Sequence, residues 1–162
     1  MTHIRHIAPG DWDAITELEA GAYPELSEER AHLESRARSS PGTCFVLDTG
    51  TRLAGYLLAL PYPLFRYPDL HKPEDTVHEA ANLHLHDLVI GKDFRGRGWA
   101  RRLLAHLEAG TGHERISLIS VQGSQGFWAS AGFTAFPEVA LPSSYGNDAM
   151  YMSKEAAHLA RQ

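Results

Sequence analysis

The sequence predicts an α/β fold, a mixed β-sheet with helices on both sides, and three observations predict it. Apolar runs and amphipathic stretches follow one another as one strand, two helices, three strands, a helix, a strand, a helix and two strands. Within that order, Leu83 to Glu108 passes from a strand-like run through a glycine-bearing loop into a helical stripe. At 162 residues the chain suffices for one core that buries about two-thirds of its unfolded surface.

His3 to Ile7 forms the first strand, and Ala8-Pro9-Gly10 turns it toward a helix beginning near Asp11, with Trp12, Ile15 and Leu18 on its buried face. After Pro24, the Ser27 hydroxyl and two first-turn acids, Glu28 and Glu29, start a second helix from about Glu28 to Ser39, closed by Pro41-Gly42. Thr43 to Asp48 and Arg52 to Leu60 pair as a hairpin around Thr49-Gly50-Thr51. A long connection, Pro61 to Asn82, separates them from the next strand, a length that is often functional when ordered. Arg115 to Val121 is a buried strand, and Ser124 to Ala131 a short helix stopped by Gly132, with Phe133 entering the next strand. Ala149 to Met152 is the last strand. The domain is expected over residues 1–154, with 155–162 a loosely helical tail.

The stretch from Leu83 to Glu108 organises the chain. Leu83, Leu85, Leu88, Val89 and Ile90 make a strand-length run, and Trp99, Leu103, Leu104 and Leu107 an apolar stripe, with Arg101, Arg102 and Glu108 on the wet side. Between them lies Arg95-Gly96-Arg97-Gly98-Trp99-Ala100. A loop of this kind aims unpaired N–H groups and the positive end of a helix dipole at one spot, which suits phosphate. Gly96 and Gly98 permit close approach, and Lys92, Arg95, Arg97, Arg101 and Arg102 surround the loop with positive charge, so the ligand is expected to be polyanionic. The Walker A loop fails for want of Gly-Lys-Ser/Thr, and the dinucleotide fingerprint fails at Arg101.

Arg95-x-x-Gly98-x-Ala100, directly after the strand that ends Asp87-Leu88-Val89-Ile90, resembles the acyl-CoA binding motif of the GNAT superfamily of N-acyltransferases. Phe127-Trp128-x-x-x-Gly132-Phe133 resembles its second signature, and the order of elements agrees over nearly the whole chain. The resemblance implies a mostly antiparallel sheet of about seven strands, splayed between the fourth and fifth, with acetyl-CoA as cosubstrate and no metal. It also implies that the pantetheine arm pairs with Leu88, Val89 and Ile90, that the Leu88 N–H holds the thioester oxygen, and that the amides of Arg95, Arg97, Gly98, Trp99 and Ala100 hold the pyrophosphate, with Gly96 allowing the turn.

The reaction so implied needs a thioester beside an amine, a neutral amine lone pair and stabilisation of an oxyanion. His84 and His86 project from one strand face, and histidine titrates near neutrality. His84 falls where some GNAT members carry a glutamate base, which makes it the candidate base; Glu79 and Asp87 are weaker candidates, and the plain reading of Asp87 is a structural acid. The family's tyrosine acid is replaced by Trp128, whose indole has no acidic proton, so Tyr145, Tyr151 or Ser124 is left to serve, with Tyr145 taken first. A coenzyme A thiolate can also leave with solvent protonation. Trp128 then packs against the coenzyme arm. Tyr23, Tyr62, Phe65, Tyr67 and Tyr145, with His86, are candidates for the acceptor pocket through cation–π and apolar contacts.

Composition bounds the alternatives. The single Cys44 lies in an apolar run, which excludes an internal disulfide and a thiolate zinc cluster. A net charge of −5 argues against a nucleic-acid partner, and the absence of a long apolar run argues against secretion and membrane insertion, so a cytoplasmic protein with a small-molecule amine acceptor is expected. A homodimer is compatible with the sequence. Two other readings stand beside the acyltransferase: a non-catalytic acyl-CoA-binding module that has lost its acid at Trp128, and a zinc hydrolase in which His84 and His86 ligate with His71, His78 or Asp87.

Overall fold

The computed structural model describes residues 1–157. Seven strands, β1 (His3–His6), β2 (Cys44–Asp48), β3 (Leu53–Pro61), β4 (Asn82–Ile90), β5 (Arg115–Ser120), β6 (Thr134–Ala135) and β7 (Met150–Glu155), form one sheet in the order β1-β2-β3-β4-β5-β7-β6. Among the described residues four α-helices accompany them: α1 (Trp12–Ala22), α2 (Arg30–Ser39), α3 (Trp99–Gly110) and α4 (Gln125–Ser130). Every neighbouring pair is antiparallel except β4 and β5. Those two pair in parallel only from Asn82 opposite Arg115 to His84 opposite Ser117, and beyond that point they part.

The helices cover both faces because each has one apolar stripe to bury. Leu103, Leu104 and Leu107 of α3 pack on Leu83, Leu85 and Ile116. On the other face, Trp12 and Ile15 of α1 and Leu33 and Ala37 of α2 pack on Val46, Tyr56 and Leu58. At Gly55 the sheet tolerates no side chain, since a Cβ there would lie 2.5 Å from the Val89 carbonyl oxygen.

One irregularity in β4 shapes the site. Its pairing with β3 passes from Leu58 opposite Asp87 to Ala59 opposite Leu85, leaving His86 as an extra residue in a bulge. Leu83, Leu85, Leu88 and Ile90 therefore all face α3. His86 and Asp87 both turn to the α1/α2 side, where they meet Glu28 and Tyr56. Strict alternation would have sent Asp87 the other way.

Three local expectations are corrected. Glu108 is buried instead of wet, because Lys154 of β7 reaches it at 2.9 Å and the Ala157 N–H donates to it. Trp99 is half-buried at the edge of the stripe, with the Arg102 guanidinium 4.4 Å from its ring centre. The second helix begins at Arg30 without a side-chain cap, since the Ser27 hydroxyl donates to Glu19 and the Glu28 carboxylate is drawn inward by Arg36. Beyond the expected boundary at 154, Glu155 still belongs to β7 and the Ala156 N–H donates to the Glu114 carbonyl; the rest of the expected helical tail, from 158, lies outside the described residues.

Candidate active site

The loop after β4 ends in a left-handed residue, Gly98 (φ +79°), at the start of α3, and Gly96 (φ +77°) makes the preceding turn. A Cβ on Gly98 would meet no atom within 4 Å, so glycine is required there for its backbone conformation and not for space. No side chain caps α3, which leaves its first N–H groups pointing outward. Arg95 Nε donates to the Ile90 carbonyl at 2.9 Å and ties the loop to the end of β4. Arg101 bonds Ser130 at 2.6 Å and lies over the Phe127 ring, while Arg97 is exposed. A hollow of about 440 Å³ lies against this loop, walled by Gly96, Gly98, Trp99, Ala100 and Phe127.

Where β4 and β5 part there is a cleft of about 390 Å³, lined by Leu88, Val89 and Ile90 on one side and Leu118 and Ile119 on the other. It shares Ile90, Arg95, Ala100 and Phe127 with the hollow at the loop, so the two adjoin. The edge of β4 from Leu85 to Ile90 has no β5 partner, and apart from the Ile90 carbonyl, which Arg95 takes, its outward N–H and C=O groups open into this space. Trp128 lines the cleft and is held edge-on between Phe127 and Phe133, with ring centres 5.0 and 5.5 Å away.

Behind the cleft the bulge gathers charge. Asp87 lines it with its carboxyl pushed up to about 7 by burial, and Tyr56 donates to that carboxyl at 2.6 Å. Burial and the neighbouring Asp87 push the Tyr23 hydroxyl well above its ordinary value. A smaller inner cavity of about 50 Å³ adjoins the cleft across Tyr23, His86, Asp87 and Ile119, and Glu19 and Glu28 line it as well. Burial pushes the Glu19 carboxyl up. Burial acts on Glu28 in the same sense, but His86 and Arg36 outweigh it and hold the carboxyl at about 2. Arg36, 1% exposed, donates to Glu28 at 2.6 Å and Glu74 at 2.7 Å, and to the carbonyls of Asp69 and Lys72. One buried guanidinium thus ties the long connection between β3 and β4 to α2.

The expected site residues divide. Leu88, Val89, Ile90, Arg95, Ala100, Trp128, Tyr23 and His86 line the cleft, and Gly96, Gly98, Trp99 and Arg101 the adjoining hollow. His84 is placed elsewhere: it is 1% exposed, its Nδ1 is 2.8 Å from the Ser117 hydroxyl, its ring stacks on Tyr151, and it lines neither the cleft nor the inner cavity. Burial, with His86 and Arg36 nearby, holds its pKa down at about 3. The position expected for a base is a core position, because β4 and β5 are still paired there.

The expected aromatic wall is also dispersed. Tyr62 packs on His78, Phe65 on Phe136, and the Tyr67 hydroxyl donates to the Ala140 carbonyl; none of the three lines the cleft or the inner cavity. Tyr145 reaches the inner cavity, but its hydroxyl donates to the Pro68 carbonyl and burial pushes its pKa far up, which leaves it no free proton for a leaving thiolate. The residues that sequence reasoning passed over are Glu19, Glu28 and Arg36, and a buried arginine has no signature in a polar helix. Among the described residues no cluster of three or more His, Cys, Asp or Glu side chains is placed to hold a metal ion, and the His84 and His86 rings turn to Ser117 and Glu28.

A mixed sheet with one splayed parallel pair, followed by a glycine loop rich in arginine, defines a class of α/β domain with a cleft where two parallel strands part. The chain belongs to the acetyltransferase (GNAT) family, whose model matches residues 12–133. No curated protein sequence matches the chain. Among solved structures, the loading GNATL domain of CurA from Lyngbya majuscula is similar over 98% of this chain and 99% of its own, at 15% identity and a TM-score of 0.78. The GphF GNAT-like decarboxylase in complex with isobutyryl-CoA is similar over 95% and 99%, at 19% identity and a TM-score of 0.74. N-acetylglutamate synthase from Neisseria gonorrhoeae, complexed with coenzyme A and N-acetyl-glutamate, matches over 96% of this chain and 35% of its own, at 21% identity and a TM-score of 0.71.

Proposed function

We propose that this protein transfers the acetyl group of acetyl-CoA to a primary amine of a small molecule or peptide, by direct attack in a ternary complex. The observation that carries the reading is the adjoining pair of spaces that leads from the Gly96–Ala100 loop, along the unpaired edge of β4, to a buried carboxyl at Asp87. On this reading the amides of Arg95, Arg97, Gly98, Trp99 and Ala100 hold the pyrophosphate, and Leu88, Val89 and Ile90 pair with the pantetheine arm. The Leu88 N–H faces the oxyanion that develops on the thioester. Acetyl-CoA supplies an activated acyl group whose C–S bond breaks as the C–N bond forms.

The acceptor arrives as an ammonium ion and must lose a proton before it attacks. We assign that step to Asp87 in place of His84. Asp87 faces the cleft, and a carboxyl near 7 is ionised in part at neutral pH and still basic enough to take a proton. His84 is enclosed, and at about 3 it has little appetite for a proton. Trp128 has no acidic proton, and a thiolate of pKa about 8 to 9 leaves with solvent protonation.

Trp128 also favours a second reading, a module that binds acyl-CoA without turnover. An acetylation assay over an amine panel with thiol detection separates the two: amine-dependent thiol release supports the transferase, and tight coenzyme binding with no release from any amine supports the module.

A further inference from the structure

We propose that the acceptor is a di- or polyamine without a carboxylate, its reacting nitrogen beside Asp87 and its second ammonium among Glu25, Glu28 and Glu29. The inference rests on the acyl-transfer reading above and names the substrate class of that site. The inner cavity is flanked by two larger spaces. On one side it adjoins the β4–β5 cleft; on the other, across Leu26, Glu28 and Leu70, it adjoins an outer basin of about 320 Å³. Glu19, Glu28 and Asp87 line the inner cavity, and Glu25, Glu28 and Glu29 the basin, while among the described residues no lysine or arginine lines either space. His32 and His71 are the basic groups at the basin.

Arg36 is the buried cation closest to these acids, and it is used up. It already donates to two carboxylates and two carbonyls at 1% exposure. A carboxylate on the acceptor would therefore enter a space lined by acids and find no unpaired cation to meet it. An ammonium is favoured by the same groups. The walls between the acids are Leu26, Leu70 and Ile119, which suit a slim methylene chain and leave no room for a bulky body in about 50 Å³.

His86 supplies an independent indication. Its side chain is 3% exposed and lines both the cleft and the inner cavity, and its Nε2 is turned to Glu28. Its Nδ1 has no hydrogen-bond partner among the described residues. Nε2 is held between Glu28 and the Arg36 Nε–H, 3.2 Å away, which leaves Nδ1 as the ring nitrogen that a polar group of the acceptor can meet. An unpaired buried nitrogen costs stability unless a ligand completes it.

Initial rates of thiol release from acetyl-CoA are measured with 1,4-diaminobutane, 1-aminobutane and 4-aminobutanoate, on the wild type and on the double variant Glu25→Gln, Glu29→Gln. The diamine is expected to exceed the monoamine in kcat/KM by about tenfold or more, and the amino acid to give no rate above background. In the double variant the ratio of the diamine's kcat/KM to the monoamine's should fall to about one. Transfer to 1-aminobutane or 4-aminobutanoate as fast as to the diamine overturns this inference and leaves the transferase reading standing. A diamine preference that survives the double variant also overturns it. Thiol release from no amine, with acetyl-CoA still bound, overturns both.

Discussion

Replacing Asp87 by asparagine separates the cost of burying a carboxylate from the use made of it. In the folded protein this carboxyl stands at about 7, against an ordinary 3.8, chiefly because burial disfavours the charge. Between those values the folded protein holds a proton that the unfolded chain has released, so stability contributed at this position falls as pH rises from about 4 to about 7. At about 1.4 kcal/mol for each tenfold in proton affinity, the whole cost reaches roughly 4 kcal/mol above pH 7. Asparagine removes the charge and keeps an oxygen for the Tyr56 hydroxyl, which now donates at 2.6 Å. The variant should therefore be more stable than wild type at pH 8 by up to about 4 kcal/mol, with the difference vanishing near pH 4. Its turnover with an accepted amine should fall about 100- to 10,000-fold, with acetyl-CoA affinity unchanged, and the rise of the wild-type rate through about pH 7 should disappear. Urea melts at the two pH values and rate profiles from pH 6 to 9 test both halves. A variant that keeps wild-type turnover and the same inflection would refute the assignment of the base, and an equal stability change at both pH values would refute the burial argument.

Three further outcomes are expected. Gly98→Glu and Gly98→Ala must both hold φ at +79°, at a cost of about 1 to 3 kcal/mol, and only the first sets a carboxylate against the ligand's phosphates, so calorimetry should show acetyl-CoA binding abolished in Gly98→Glu and weakened less in Gly98→Ala while circular dichroism shows both folded. His84→Ala should lower stability by roughly 2 to 4 kcal/mol by emptying the core beside Ser117 and Tyr151, with turnover per folded molecule retained; a loss of about a hundredfold in folded protein would return His84 to the mechanism. Arg36→Met should cost about 3 to 5 kcal/mol by leaving Glu28 and Glu74 buried without their cation, and should speed amide exchange in residues 69–74; native exchange rates there would show that Arg36 does not hold the connection.

The sequence by itself determined what is local. Helical and strand periods place Trp12, Ile15, Leu103, Leu104 and Leu107 in the core, and Gly96 and Gly98 mark the turn into α3, because periodicity and glycine chemistry act over a few residues. The order of elements followed from the same signals, and with it the fold. The bulge at His86 was decided by tertiary structure alone, since it exists only in the register of β4 against β3, thirty residues away in a strand that carries no mark of it. The bulge turned Asp87 toward the cleft. The separate parting of β4 from β5 after His84 closed that histidine into paired sheet and opened the edge that follows. Tertiary structure likewise drew Arg36 inward, because a guanidinium in a polar helix is buried only when carboxylates and carbonyls from distant segments converge on it, and it spent Tyr62, Phe65 and Tyr67 on packing loops together. Whether a polar residue faces a ligand or another part of the chain depends on which long-range partners reach it first, and that is settled only when the sheet is assembled.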